Sequence, residues 1–259
     1  PIWARVEAQS FGHTPAGTVA AMADQLAGFG RVVAVGPRPD LVLILGDRFE
    51  AVAAGLACVP HDIPVGHISG GSITEGAIDD VFRHALTKMA ALHFCDVPDF
   101  ARRIQQMGEE PGRIFTVGAL GLDGIHAAPP KPFADFRDHF GFAGLEPGYV
   151  LATLHPETRA VDQTAPMARA MVAALAATGR QVIYTYPNAD PGSDDIIAVI
   201  EQAARTHPGH FAVRNFGVAW FYTAMAHAGL VVGNSSSGIY EAGSYHLPVV
   251  DIGDRQKNR

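Results

Sequence analysis

Short apolar runs alternating with helix-spaced segments constrain this chain more than any other feature. Leu41–Leu45 and Ile63–Gly66 are each of strand length, and Phe49–Cys58 between them has helical spacing. Strand, helix, strand in that order is a parallel unit, because a parallel partner needs a crossover connection. The rhythm continues with a helix at Asp79–Met89, a strand at Leu92–Val97, a helix opened by proline at Pro98–Met107 and a strand at Ile114–Val117. Upstream, Thr18–Phe29 has the Ala/Met/Leu spacing of a helix that Gly30 is expected to end.

The Pro129–Pro132 run and the Gly-rich stretch to Gly148 are expected to form a hinge. The alternation then restarts. Tyr149–Leu154, Gln181–Tyr186, Phe211–Arg214, Leu230–Val232 and Val249–Ile252 are strand-like, and 162–178, 193–206, 218–227 and 238–246 are helical. The expected class is α/β: two doubly wound, Rossmann-like domains, 1–128 and 145–259, facing a cleft.

Composition narrows the partners. The 259 residues are 48% apolar, with a mean hydropathy of +0.12, which suits a soluble globular protein. No apolar run approaches the ~20 residues of a membrane span, and PIWARVEAQSF lacks the basic and apolar blocks of a signal peptide. A net charge of −7 argues against nucleic acid, whose phosphates want a basic face. Cys58 and Cys95 are isolated, so neither a disulfide framework nor a cysteine-based zinc site is expected, and a reducing cytoplasm fits. His207 and His210 bracket the turn at Pro208–Gly209, which argues against metal ligation there. A start at proline and a charged RQKNR end suggest part of a longer protein.

The polar residues fall where strands stop. Gly46-Asp47-Arg48 follows the first run, and His67 with a Gly-rich loop follows the second. In the second half, His155-Pro156-Glu157, Asn188-Ala189-Asp190, Arg214-Asn215-Phe216, Asn234–Gly238 and Asp254-Arg255 repeat the pattern. Any one of these alone is more often a cap, a turn or a surface pair. Aligned on one sheet edge, they mark a ligand site, since open parallel sheets bind ligands beyond the carboxyl ends of their strands.

The GNSSSG stretch is the phosphate candidate, with small residues entering a helix and the Ser235 and Ser236 hydroxyls as extra donors. Glu241, about a turn further on, suits the two hydroxyls of a ribose, Arg255 suits phosphate oxygens, and Phe216 suits a uracil ring. Neither Gly-x-Gly-x-x-Gly nor the P-loop pattern occurs, so neither nicotinamide nor ATP, and no other cofactor or metal, is expected. Asp47, Glu75, Asp79, Asp80 and His155 are the acid–base candidates for breaking a glycosidic C–O bond. The plainer reading pairs Asp47 with Arg48 and Asp79 with Arg83 as salt bridges.

GDRFE, HISGG…TEGAIDD…RHALTK, LHF, GALGLD, TLHPET, YPNAD, GNSSSGIYEA and IGDRQKNR, in that order over almost the whole chain, resemble the hydrolysing UDP-N-acetylglucosamine 2-epimerases of sialic and related nonulosonic acid synthesis. The resemblance implies the glycosyltransferase-B architecture. It also implies elimination of UDP to a 2-acetamidoglucal, then hydration to free N-acetylmannosamine. By motif, Asp47 and an acid of TEGAIDD look like the proton-handling carboxylates, and His155 looks like the cleft histidine facing the diphosphate. Ser235, Ser236, Glu241 and Arg255 look like UDP contacts. Arg48, His67, Arg83, Asn188, Asn215, Asn234 and Gly238 complete the expected substrate side. A homo-oligomer, dimer or tetramer, is the expected assembly. The alternatives are a non-hydrolysing 2-epimerase and a silent nucleotide-sugar binder.

Three departures stand out. The family commonly has a glutamate in or just after HISGG, where this chain has Ser69 and Ser72, so either Glu75 substitutes or the activity is altered. Family members also begin with a further strand, helix and Gly-Thr-Arg loop, and continue into helices beyond DRQK. The first domain is therefore expected to be incomplete at its N-terminus.

Overall fold

The computed structural model describes residues 2–7, 9, 11 and 14–257, with the backbone alone at 126. The chain forms two compact units, which part at Leu120 and Gly121.

In the first unit, α1 (Pro15–Val35), β1 (Val42–Leu45), α2 (Phe49–Cys58), β2 (Val65–Ile68), α3 (Asp79–Met89), β3 (Leu92–Cys95), α4 (Pro98–Gln106) and β4 (Ile114–Thr116) alternate. Thr14 Oγ1 accepts the Gly17 N–H at 3.0 Å and Pro15 takes the first position, so α1 starts as a capped helix. It does not end at Gly30. At Gly28 a Cβ would lie 2.4 Å from Val6 Cγ1, so that glycine provides a close approach rather than a stop.

The strands are parallel in the order β1-β2-β3-β4. An order that moves one way only, with right-handed crossovers, puts every connecting helix on the same face. Ile44, Cys58, Ile63, Val65, Leu86 and Ala90 form the core there, while Leu43, Leu45 and Phe115 on the other face are exposed. β2 starts later than expected because Pro64 has no N–H for the ladder; its carbonyl accepts from Val42 N at 3.0 Å instead. That shift moves His67 from the loop into the strand.

The second unit contains α5 (Leu120–Ala127), α6 (Phe133–Phe140), β5 (Val150–Thr153), α7 (Thr164–Ala177), β6 (Val182–Thr185), α8 (Ser193–Thr206), β7 (His210–Val213), α9 (Val218–His227), β8 (Leu230–Gly233), α10 (Ser237–Tyr240) and β9 (Val249–Asp251). α5 and α6 lie where no helix was foreseen. The stretch expected to be a hinge is packed: Phe136, Phe142 and Leu145 are buried in this unit's core beside Tyr149 and Phe216. Phe133, Phe136 and Phe140 repeat at helical spacing, and that apolar stripe folds the segment onto α9.

The sheet order is β7-β6-β5-β8-β9, all parallel. All four residues of β5 are buried. Leu151 joins the core containing Phe136 and Met225, and Val150 and Ala152 join the one containing Met171 and Ile196. Both faces are thus covered, as a continuous apolar run implies. The direction of winding reverses between β5 and β8, and the crevice beyond such a switch point is where doubly wound sheets bind ligands. The helix expected at 238–246 is only a turn, Ser237–Tyr240, followed by a 3₁₀ turn that His246 ends with φ 53°. Gly238 and Gly243 weaken the segment as a helix. No described helix is long and apolar enough to cross a membrane.

Candidate functional site

In the first unit the site grows around Arg83 on α3. Its side chain is fully buried, and a buried guanidinium must be matched in charge and hydrogen bonds. Its five N–H groups make five hydrogen bonds to four acceptor atoms. Nε and Nη2 both reach Asp47 Oδ2 at 3.0 and 2.5 Å, and Nη2 also donates to Thr74 Oγ1 at 2.8 Å. Nη1 donates to the Ser72 carbonyl at 3.0 Å and to Asp80 Oδ1 at 3.2 Å. Asp80 Oδ1 also accepts the Thr74 N–H at 2.8 Å, which ties the 72–74 loop to the start of α3.

The salt bridges read from the sequence are therefore re-partnered. Arg48 bonds Glu50 at 3.1 and 3.2 Å and not Asp47, while Arg83 takes Asp47 and Asp80. Sequence spacing favours i, i+4 partners. The β1 and β2 register decides otherwise, by placing the Asp47 turn beside α3.

His67 sits beneath that turn, fully buried in β2. Nε2 meets the Gly46 carbonyl at 2.8 Å and Nδ1 meets Thr87 Oγ1 at 3.1 Å. A carbonyl only accepts, so the network assigns a proton to Nε2, while the single Thr87 hydroxyl proton has two acceptors within reach, His67 Nδ1 and the Arg83 carbonyl at 3.0 Å. Burial lowers its pKa to about 4, against a smaller opposing pull from the Gly46 bond. Both nitrogens are committed, so His67 fixes the Gly46–Asp47 turn from below instead of facing a ligand.

The remaining acids differ in exposure. Asp79 is the first residue of α3, where the helix N-terminus favours a negative charge, and Glu75 is exposed in the preceding turn. Ser69, at φ 65°, donates to Asp96 Oδ1 at 2.9 Å. Ser72 is fully buried, and its Oγ finds no partner among the described residues. Neither serine supplies a carboxylate.

In the second unit the switch point is closed by an amide pairing. Asn234, after β8, accepts the His155 N–H at 2.7 Å and donates to the His155 carbonyl at 2.9 Å. The Asn234 carbonyl in turn accepts from Arg255 Nη1 at 3.0 Å and Gln256 Nε2 at 2.9 Å. His155 Nδ1 accepts the Asn188 N–H at 3.1 Å, which puts the proton of the neutral ring on Nε2. The ends of β5, β6 and β8 and the C-terminal segment are thus joined at one histidine.

Beside it lies a cavity of about 470 Å³ lined by Thr153, Thr185, Asn188, Arg214, Asn215, Phe216 and Ser235, among others. Asn215 Oδ1 caps Gly217 N at 2.7 Å, which shapes the β7 loop. Phe216 is mostly core, against Phe136 and Phe140. Ser235 Oγ accepts from both N and Oγ of Ser237 at 3.3 and 2.9 Å, leaving its own proton to donate elsewhere. Ser236 precedes α10 without a side-chain cap bond, and Gly238 lies within that turn. A four-residue turn carries no helix dipole worth invoking, so what this segment offers a ligand is its hydroxyls.

Several participants were not foreseen. Thr74 and the Ser72 carbonyl complete the Arg83 set, and buried Gln256 braces Asn234. Glu157 and Asp254, both among the strand-end residues read from the sequence, meet through Glu157 Oε1, which accepts the Asp254 N–H at 2.7 Å. Thr153 and Thr185 share a hydrogen bond of 2.5 Å across paired strands. Only the strand register brings these together. Among the described residues, no group of three or more His, Cys, Asp or Glu side chains could hold a metal ion.

Two parallel α/β units with polar strand ends, the second carrying a cleft at its switch point, define a Rossmann-type protein built for a small polar ligand. Residues 7–259 match the sequence pattern of the family described as UDP-N-acetylglucosamine 2-epimerase, and the chain belongs to that family. It is 36% identical over 239 residues to the UDP-N,N'-diacetylbacillosamine 2-epimerase (hydrolyzing) of Legionella pneumophila, covering 92% of this chain and 62% of that protein. It is 34% identical to the GDP/UDP-N,N'-diacetylbacillosamine 2-epimerase (hydrolyzing) of Campylobacter jejuni, over 86% of this chain and 58% of the relative. The chain thus spans about three-fifths of these relatives. The fold is similar to that of UDP-GlcNAc 2-epimerase from Neisseria meningitidis bound to UDP-GlcNAc, with a TM-score of 0.75 at 17% identity, over 93% of this chain and 66% of that one. S. aureus MnaA in its UDP co-structure gives a TM-score of 0.75 at 18% identity, over 93% and 64%.

Proposed function

We propose that this chain is the greater part of a hydrolysing 2-epimerase acting on a UDP-linked N-acetylated amino sugar, either UDP-N-acetylglucosamine or a diacetylated analogue. In the first half-reaction the C2–H bond breaks and its electrons form the C1=C2 bond. The C1–O bond to UDP breaks, and UDP leaves with that electron pair. Water then adds, oxygen to C1 and a proton to C2 from the other face, giving the free 2-epimer.

Asp47 is the carboxylate for the positive charge that develops at C1. One oxygen is held by Arg83, and the other, Oδ1, is left for a second partner. Glu75 or Asp79 handles the C2 proton. His155, Ser235, Ser236 and Arg255 receive the diphosphate, and the cleft beside Asn215 and Phe216 receives the base. No cofactor is required, and a homo-oligomeric cytoplasmic enzyme is the expectation. The observation that carries this reading is Asp47 seated on a fully satisfied, buried Arg83 at a strand end, in a chain of this family.

The test is to incubate the full-length protein with UDP-N-acetylglucosamine, and separately with UDP-N,N'-diacetylbacillosamine, in deuterated water. Free 2-epimer carrying deuterium at C2, together with UDP, is expected from one of them. A UDP-linked 2-epimer would establish the non-hydrolysing alternative. Binding of UDP with no sugar released would favour a silent binder, the outcome motivated by Ser69 and Ser72.

A further inference from the structure

Three turns lie side by side at the carboxyl edge of the first sheet, because β1, β2 and β3 are neighbours there. Asp47 follows β1, Ser69 follows β2 and Asp96 follows β3. Open parallel sheets bind ligands at that edge. The outer two turns stand two strand spacings apart, roughly 10 Å, which leaves room for a sugar ring.

Asp96 is only 7% exposed, yet it enters no ion pair among the described residues. A carboxylate taken out of water without a cation is costly. The neighbouring cations are committed elsewhere: Arg83 to Asp47 and Asp80, and Arg103 of α4 to the Gly71 carbonyl. Asp96 Oδ1 accepts from Ser69 Oγ at 2.9 Å. Its Oδ2 has no hydrogen bond among the described residues, and it is not one of the polar atoms sealed from solvent. Ser69 has φ 65°, a conformation that favours glycine, and glycines occupy the next two positions. A serine is strained there, so what it contributes is the hydroxyl. The loop around it is fixed, with the Ser69 N–H donating to the Phe94 carbonyl at 2.8 Å and the Ser72 carbonyl accepting from Arg83 at 3.0 Å.

We propose that Asp96 is a substrate-binding residue of the first unit, held through Oδ1 by Ser69 so that Oδ2 accepts a hydrogen bond from the sugar. A carboxylate only accepts, so the group it takes is a hydroxyl or an acetamido N–H. The proposal rests on the nucleotide-sugar reading above and adds a specificity residue to it.

The experiment measures KM and kcat on the full-length protein, with whichever of the two sugar nucleotides it converts, beside the competitive Ki of UDP and of UDP-glucose. Asp96→Asn keeps an oxygen for Ser69 and removes the charge, so KM should rise by about 10-fold or more. The Ki of UDP, which has no sugar, should stay within about 2-fold, and kcat should change far less than KM. Ser69→Gly suits the backbone and leaves the carboxylate in place, so its KM should rise less, by about 3-fold. UDP-glucose lacks the acetamido group. A weaker Ki for it in Asp96→Asn assigns the donor to a hydroxyl, and an unchanged Ki assigns it to the acetamido N–H. An unchanged KM in Asp96→Asn overturns the proposal. So does a Ser69→Gly loss as large as that of Asp96→Asn, which would make Asp96 a loop anchor only, or a UDP Ki that weakens in step with KM. An unmodified protein that binds UDP and converts neither sugar nucleotide removes the epimerase reading itself.

Discussion

Asp47 and Arg83 are 36 residues apart in the chain, yet one carboxylate oxygen of the former accepts from both Nε and Nη2 of the latter. This pair joins the turn after β1 to the middle of α3, and Thr74 and Asp80 extend it into the intervening loop. Asp47 keeps partial exposure, at 24% of its side chain, whereas Arg83 shows 1%. The arginine is the support and the aspartate is the face turned toward solvent.

Removing the support should therefore act on stability first. Arg83→Met leaves two carboxylates without their partner, and breaking a buried pair by deleting one member costs about 3–5 kcal/mol. Urea unfolding of the full-length protein should show a fall of that size. A loss under about 1 kcal/mol would mean that the five-bond arrangement is not maintained in solution.

Asp47→Asn should separate binding from chemistry. The residues proposed to hold UDP all belong to the second unit, so UDP affinity should stay within about 2-fold. Turnover should fall by ~10²–10⁴-fold, the usual worth of a positioned carboxylate. An equal loss in UDP affinity would move Asp47 out of the catalytic role and into nucleotide binding.

Buried histidines should make the fold sensitive to acid. His67, with its folded pKa depressed to about 4, stays neutral in the fold, while the unfolded chain takes up a proton below the ordinary value of 6.5. Between those values the unfolded state binds more protons, so stability rises with pH. Acidification through that window removes it, on the order of 3 kcal/mol from this group. His93, opposite His67 in the sheet and also lowered by burial, adds in the same direction. Urea midpoints measured from pH 7 to 4.5 should fall, and less steeply in His67→Gln. Parallel slopes for the two proteins would show that His67 is not the group responsible.

The alternation of strands and helices was legible because apolar period and length are local properties. α2, α3, α8 and α9 lie at the expected residues, and most strands fall within a residue or two. The failures were of other kinds. Pro64 delayed β2, and that moved His67 from a loop to the core. Prolines flanking Phe133–Phe140 masked a helical aromatic stripe. Asn234, His155 and Ser235 were legible as polar residues at strand ends. That Asn234 clamps both backbone groups of His155 was not, because only the pairing of β5 with β8 brings residues 79 apart into register.

The acid proposed to handle the C2 proton can be distinguished by exposure and by a set of variants. Asp80 Oδ1 accepts both the Thr74 N–H and Arg83 Nη1, and its Oδ2 lies 3.8 Å from His84 Nε2, so its side chain is spent on structure. Asp80→Asn keeps an acceptor for Thr74 but loses the charge that Arg83 faces. Its main effect should be a loss of stability, with turnover falling less than ~10-fold in the protein that remains folded. Asp79 is half-buried at the first position of α3. Glu75, exposed in the turn and three residues beyond Ser72, is the acid we propose to move a proton to and from solvent. Glu75→Gln should therefore lower turnover by ~10²-fold or more without changing the urea midpoint, and Asp79→Asn should lower it less. Deuterium incorporation at C2 during partial conversion provides a second readout, since it follows proton exchange rather than UDP release. If Asp79→Asn abolishes that incorporation and Glu75→Gln leaves it intact, the roles are reversed, and the base is the residue at the helix start.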